Sequence, residues 1–374
     1  MKYLLTELLL ICICASACND KQQPNEKNIL GNWIKVRNKT VSTGKNVIPE
    51  PPEDEKPGFT FYSDHSVDYK LGFFKKTNGI NIFLGTKSKF KIMGDNLLIL
   101  DIDSNKWNEY HLIKLTADSL QFLLGGRLAT FKHYQIKKNN TPEFDQIVLS
   151  TSGCYGTCSV ASTIINTDGT VLFNGLFYTA KKGLFTGSIT KAQYMQLQNN
   201  FRNTDFSPLK NSYNAGWTDD ETISTTFVKN GKIYKSVNDY GSAAPAQFTW
   251  AYSPLRYLYQ SITLKSVADS KAVSSLHYPN RAHLKTANMA IYLTQSETFL
   301  LFYYLRKGKI ANTSFKSRYQ LSSYFDVQKF HDIDTDGRFY KFEVNKKPII
   351  IDIGFNFYDV NASNWQWRKI IEYD

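Results

Sequence analysis

Residues 146–178 read QIVLSTSGCYGTCSVASTIINTDGTVLFNGLFY. Two runs rich in β-branched residues, QIVLSTSG and SVASTIIN, flank a loop holding Cys154 and Cys158, and VLFNGLFY follows across Thr167-Asp168-Gly169-Thr170. Asp-Gly between apolar runs is a strong hairpin signal, so three antiparallel strands are expected. Immediately downstream, TKAQYMQLQNNF (190–201) predicts a helix. Thr190 and Gln193 form a capping box, and Tyr194, Leu197 and Phe201 share one face. ETISTTFV (221–228) and KIYKSVND (232–239) read as strands around Lys229-Asn230-Gly231. A second helical stretch, PAQFTWAYSPLRYLYQSI (245–262), should break or kink at Pro254. Residues 145–262 are thus expected to form an α+β unit.

The order of these features resembles an uncharacterised bacterial family, domain of unknown function number 6438. The residues carrying the resemblance are Cys154-Tyr155-Gly156-Thr157-Cys158, the Asp168-Gly169-Thr170 hairpin, TDFSPL, WTDDETISTTF and VNDYGSAAP. The family hallmark is C-[FY]-G-T-C-P followed by a tyrosine; here Ser159 replaces the proline and Ala161 the tyrosine. The resemblance implies fold and an exported location but no chemistry.

Upstream, KNNTPEF (138–144) marks a boundary, and residues 29–137 alternate with period two between frequent turn residues. That pattern predicts an antiparallel barrel or sandwich. Gly31-Asn32-Trp33 resembles the G-x-W of lipocalin-like barrels, which implies that Trp33 plugs the closed end; Arg127 is the candidate to pack on it. A Trp filling an ordinary β core is the plainer alternative. A loop with four prolines, residues 38–58, should overhang the mouth of such a barrel. Glu50, Glu53, Asp54 and Glu55 lie in that loop and read as solvated. The fold class expected is strand-rich α+β: a lipocalin-like barrel, the cysteine-bearing unit, and a mixed module over 263–374. In the last, Thr294 and Glu297 offer a capping box before the apolar run Phe299–Leu305, with Gly308 as stop, although the run also suits a buried strand. RFYKFEV, PIIIDIGFNFY and WQWRKIIEY read as strands.

The first residues bear on compartment. An apolar run, Leu8 to Ala17, ends in Ala15-Ser16-Ala17-Cys18. It is too short to span a bilayer as a helix and suits a secretory signal core. The ending resembles the lipobox of bacterial lipoproteins, which implies a signal peptide over 1–17, lipid on Cys18, and a tether over 18–28. Glu7 and Ala15 depart from the usual pattern, and an ordinary secreted protein is the alternative. A lipid-anchored protein of the bacterial cell envelope, on the periplasmic or outer-membrane face, is expected, with the membrane as partner through Cys18.

Cys12 and Cys14 then leave with the signal peptide, and Cys154 and Cys158 remain as an even pair in an oxidising compartment. Their C-x-x-x-C spacing lies between strands, not at a helix N-terminus, and no Lys, Arg or His stands within six residues to stabilise a thiolate. A structural disulfide is expected, contributing about 2 kcal/mol for so small a loop. A thiol-redox role is the alternative; a metal site would need further soft ligands.

Asp332, Asp334, Asp336, Gly337 and Glu343 satisfy the EF-hand spacing and are a weak calcium candidate, whereas Asp336-Gly337 followed by an alternating segment favours a hairpin. No G-x-S-x-G, H-E-x-x-H, phosphate-loop or dinucleotide motif occurs, so no catalytic residue, metal or cofactor is assigned. The net charge of +12 is dispersed without a basic stripe, so nucleic acid is not expected as partner. Trp217, Trp250, Trp365 and Trp367 suit either a glycan platform or core packing. The function expected is a non-catalytic binding or interaction module, its ligand a small hydrophobic molecule, a glycan or an envelope protein.

Overall fold

The computed structural model describes residues 26–36, 56–136, 141–267, 278, 280–323, 332–344 and 346–370. Cys18, the signal, tether residues 18–25 and the acidic loop residues 50 and 53–55 lie outside them; the expected tether residues 26–28 instead open a 3-10 turn, Glu26–Ile29, that leads into the barrel. The architecture is strand-rich α+β, with a closed eight-stranded barrel followed by two eight-stranded sheets.

The barrel runs β1 (Gly31–Val36), β2 (Gly58–Phe61), β3 (Ser66–Thr77), β4 (Ile80–Met93), β5 (Asn96–Asp101), β6 (Lys106–Leu115), β7 (Ser119–Leu124) and β8 (Arg127–His133). Each strand pairs with the next, and β8 closes on β1. Alternation drives one face of every strand inward. The interior is filled by aromatic rings: Phe59 lies 5.5 Å from both Phe61 and Phe131, and Phe122 stacks on Phe131 at 5.0 Å. A lipocalin-style ligand inside the barrel would have to displace these side chains. β3 and β4 form a long hairpin around a two-residue Asn78-Gly79 turn.

Trp33 is fully buried, and its indole N–H donates to the Ile29 carbonyl at 2.6 Å. The ring against it is His133, edge-on at 5.1 Å; Arg127 is exposed at the start of β8 and does not take that place. Gly31 is obligatory here: its φ is +111°, and a Cβ would sit 2.3 Å from His133 Nε2.

The central sheet contains β9 (Gln146–Thr151), β10 (Val160–Asn166), β11 (Thr170–Phe177), β12 (Gly183–Ser188), β13 (Ser212–Asn214), β14 (Thr222–Lys229), β15 (Lys232–Tyr240) and β16 (Leu264–Ser266), in the order β13-β15-β14-β9-β10-β11-β12-β16. The Asp168 carboxylate braces the β10–β11 turn by accepting from the Thr170 N–H and hydroxyl. Helix α1 (Lys191–Arg202) carries the complete Thr190–Gln193 capping box. Helix α2 (Ala246–Arg256) contains Pro254 in its last turn, and a short α3 (Leu258–Ser261) follows after Tyr257. One face of the sheet packs Ile147, Leu149, Ile165 and Phe227 against α1 and α2.

The opposite face is also covered. Every residue of β10 is buried, which requires cover on both sides. That cover is α4 (Gln295–Lys307), whose capping box joins Thr294 and Glu297 as expected. The strand alternative for Phe299–Leu305 is therefore replaced by a helix. Its residues join one buried cluster with Val148, Ile164 and Val228 of the central sheet and with Leu284, Leu321 and Tyr340 beyond it. A helix apolar on most sides is what such double packing demands. Hydroxyls mediate the contact at its first turn: Ser296 Oγ lies 2.7 Å from both Ser224 and Thr226, and Ser236 donates to buried Glu297 at 2.6 Å.

The last sheet comprises β17 (Ala282–Lys285), β18 (Met289–Tyr292), β19 (Lys309–Ile310), β20 (Tyr319–Ser323), β21 (Ile333–Thr335), β22 (Phe339–Val344), β23 (Lys347–Asp352) and β24 (Arg368–Lys369). The end of PIIIDIGFNFY is not a strand. Asn356 caps a short helix, α5 (Phe357–Asn361), by accepting from the Asp359 N–H. In WQWRKIIEY only Arg368–Lys369 is a strand among the described residues. No described helix is long and apolar enough to cross a membrane.

Candidate ligand-binding cleft

The barrel is docked onto α2 through specific contacts. The Lys56 ammonium donates to the Ser242 carbonyl at 2.8 Å and to the Ala244 carbonyl. Burial pushes the Lys56 pKa down, and the nearby Asp239 carboxylate opposes that shift. In return the Trp250 indole donates to the Lys56 carbonyl at 2.7 Å. Gly58 passes so close that a Cβ would meet the Trp250 ring at 2.4 Å. Farther along, the Gln260 amide accepts from Phe83 N–H at 2.8 Å and donates to the Asn81 carbonyl at 2.9 Å. Phe83 and Phe74 lie 5.4 and 5.1 Å from Tyr257. The long β3–β4 hairpin therefore works as a clasp.

Between these anchors lies a cleft of about 510 Å³, within the size range of small-molecule sites. Its barrel wall includes Asp68, Lys70, Phe83 and Tyr134; its helical wall is built by α1 and α2. Gln193, Gln196, Asn200 and Asn203 recur at steps of three, four and three, so the helical period lines them up along one side of α1 and its cap. This side adjoins the Tyr194–Leu197–Phe201 core face. The amides of Gln196, Asn200 and Asn203, with Gln247 of α2, have no partner among the described residues.

Trp250 and Tyr134 form an aromatic corner, 5.8 Å between centroids. Burial raises the Tyr134 pKa, and the Asp68 charge raises it further, so the hydroxyl stays a neutral donor and acceptor. Asp68 pairs with Lys70 through Oδ2 at 2.6 Å, while its Oδ1 is buried without a partner. The lining thus offers amides, rings and one internally neutralised ion pair. Trp250 is largely buried, which is the core-packing alternative, with part of its ring reaching the cleft; the amide stripe has its sequence signal in the Gln/Asn spacing inside a capped helix.

The other sequence candidates lie elsewhere. Cys154 and Cys158 are disulfide-bonded, with Cα atoms 5.6 Å apart, in the β9–β10 loop. Tyr155 N–H donates to the Asp219 carbonyl at 3.1 Å, and Thr222 N–H to Ser152 Oγ at 2.8 Å, so the loop is tied to the segment before β14. There the Trp217 indole donates to Asp220 at 3.1 Å. This is a hydrogen-bonded corner, and the bond itself gives no sign of redox activity. Trp365 packs 5.5 Å from Phe357, and the Trp367 indole donates to the Tyr358 hydroxyl, so both belong to the C-terminal core.

The EF-hand spacing resolves as strands and a turn. Asp332 bonds Lys285 and Ser322, and Asp336 accepts from the Arg338 and Phe339 N–H groups. Asp334 and Thr335 pair with Lys341 and Tyr340 across the hairpin, and Glu343 is exposed on β22. The carboxylates do not converge, and among the described residues no group of three or more His, Cys, Asp or Glu is placed to hold a metal ion.

No curated protein matches the chain. Residues 145–259, which span β9 to β15 with α1, α2 and the first half of α3, match the family model described as a domain of unknown function (DUF6438), so about a third of the chain is similar to an uncharacterised domain family.

Proposed function

We propose that this chain is a non-catalytic binding protein of the bacterial cell envelope, lipid-anchored at Cys18, and that it holds its ligand in the cleft between the barrel and α1–α2. The observation that supports the binding role is the cleft: aromatic rings from the barrel side and the helices, and amides of α1 and α2 without partners among the described residues, line it together. Its charged lining is an Asp68–Lys70 pair and the exposed Lys87, with the neutral Tyr134 hydroxyl beside them. The aromatic filling of the barrel favours this site over the barrel interior.

Native mass spectrometry of the full chain, extracted gently from its own membrane, tests both halves. The wild type is expected to carry lipid on Cys18 and a non-covalent ligand. Asn200→Trp, which fills the cleft, should lose the ligand and keep the lipid; Cys18→Ser should do the reverse. A ligand retained undiminished by Asn200→Trp, or a Cys18 without lipid, would contradict the corresponding half.

A further inference from the structure

We infer that the cleft ligand is a saccharide: a short, uncharged, polyhydroxylated chain. This deepens the binding reading above and rests on it. A sugar ring presents C–H faces and a rim of hydroxyls, each both donor and acceptor. The cleft supplies the complement of each. Half-buried Tyr134 and Phe83 give apolar ring surface, each backed by a largely buried ring, Trp250 behind the first and Tyr257 behind the second. Gln196 and Asn203, exposed, and Asn200 and Gln247, half-buried, give side chains that also both donate and accept and have no partner among the described residues. Their spacing along α1 makes a ladder rather than a single point, which suits successive hydroxyls.

Other classes fit less well. An acyl chain entering the cleft would take the half-buried amides of Asn200 and Gln247 out of water against hydrocarbon, a costly arrangement. A phosphate-bearing ligand wants cations to pair with. Here Lys70 is already neutralised by Asp68 and Lys87 is exposed at the border. The unpartnered Asp68 oxygen beside the cleft is short of a donor and would repel an anion.

Titration calorimetry and saturation-transfer NMR on the full chain, in a sugar-free detergent, test the inference. The probes are maltotriose, cellotriose, mannotriose and chitotriose, with decanoate and pyrophosphate as the acyl and anionic comparisons. At least one trisaccharide is expected to bind, with the strongest transfer to ring C–H protons. Gln196→Ala with Asn200→Ala should weaken it about tenfold or more, the loss of one to two net hydrogen bonds, and Asn200→Trp should abolish it. Unchanged melting of the variants separates lost contacts from lost folding. Binding to an isolated cell-wall glycan but to no free trisaccharide assigns the same chemistry to a polymeric source. Decanoate or pyrophosphate binding that Asn200→Trp abolishes, with no saccharide binding, overturns the ligand class and leaves the cleft as a site. Saccharide binding that Asn200→Trp leaves intact, or no saccharide binding to any form, overturns the inference outright.

Discussion

A chain ended after Ile262 is expected to be insoluble or molten, even though the family match stops at residue 259. The cut removes α4 and uncovers Val148, Ile164, Leu172, Val228 and Ile233 together with the hydroxyls that Ser296 and Glu297 satisfy. It also removes β16, which completes one edge of the central sheet beside β12. Burial of each large apolar side chain contributes about 1.5–3 kcal/mol, so the loss is on the order of 10 kcal/mol. Net domain stability is about 5–15 kcal/mol. The truncated chain should bind a hydrophobic dye, lose near-ultraviolet dichroism and melt without cooperativity. A cooperative urea transition with the full-length midpoint would show that the face is not needed.

The second large effect is expected at Trp33. Replacing Trp33 with Ala leaves a hole in the barrel end and strands the Ile29 carbonyl and the His133 ring. A buried Trp→Ala change costs about 3–5 kcal/mol. Trp33→Phe keeps most of the packing and loses one hydrogen bond, about 1 kcal/mol. Urea unfolding should rank wild type, Phe and Ala in that order. An Ala variant within about 1 kcal/mol of wild type would remove Trp33 from the barrel core.

Why some of this was legible in sequence and some was not follows from particular residues. Barrel strands with one wet face announce themselves by alternation, and the Asp168-Gly169 turn and two capping boxes are local chemistry, so all of these read correctly. The length of the β3–β4 hairpin is hidden in sequence because Lys75, Lys76 and Asn81 near its tip are exposed and its pairing is interrupted by register shifts around Asp68–Phe74. Phe299–Leu305 was ambiguous because a helix packed between two sheets has no polar face to reveal its period. Ser150, Ser162, Ser224 and Thr226 look like a solvated stripe; burial beneath α4 and Tyr278 comes from chain more than 100 residues away for the first two and about 70 for the others. The cleft belongs to the same category. Tyr134 and Trp250 are more than 100 residues apart in the chain, and only the docking of Lys56, Gly58 and Phe83 on α2–α3 sets one against the other.

Hydrogen–deuterium exchange of the full chain, with and without whichever of the trisaccharides, decanoate or pyrophosphate it binds, tests the cleft most directly. Protection confined to residues 83–87, 193–203 and 247–261 is the expected result. Protection centred on the disulfide loop, residues 152–159, or on the interior of the barrel, with the cleft segments unchanged, would contradict it.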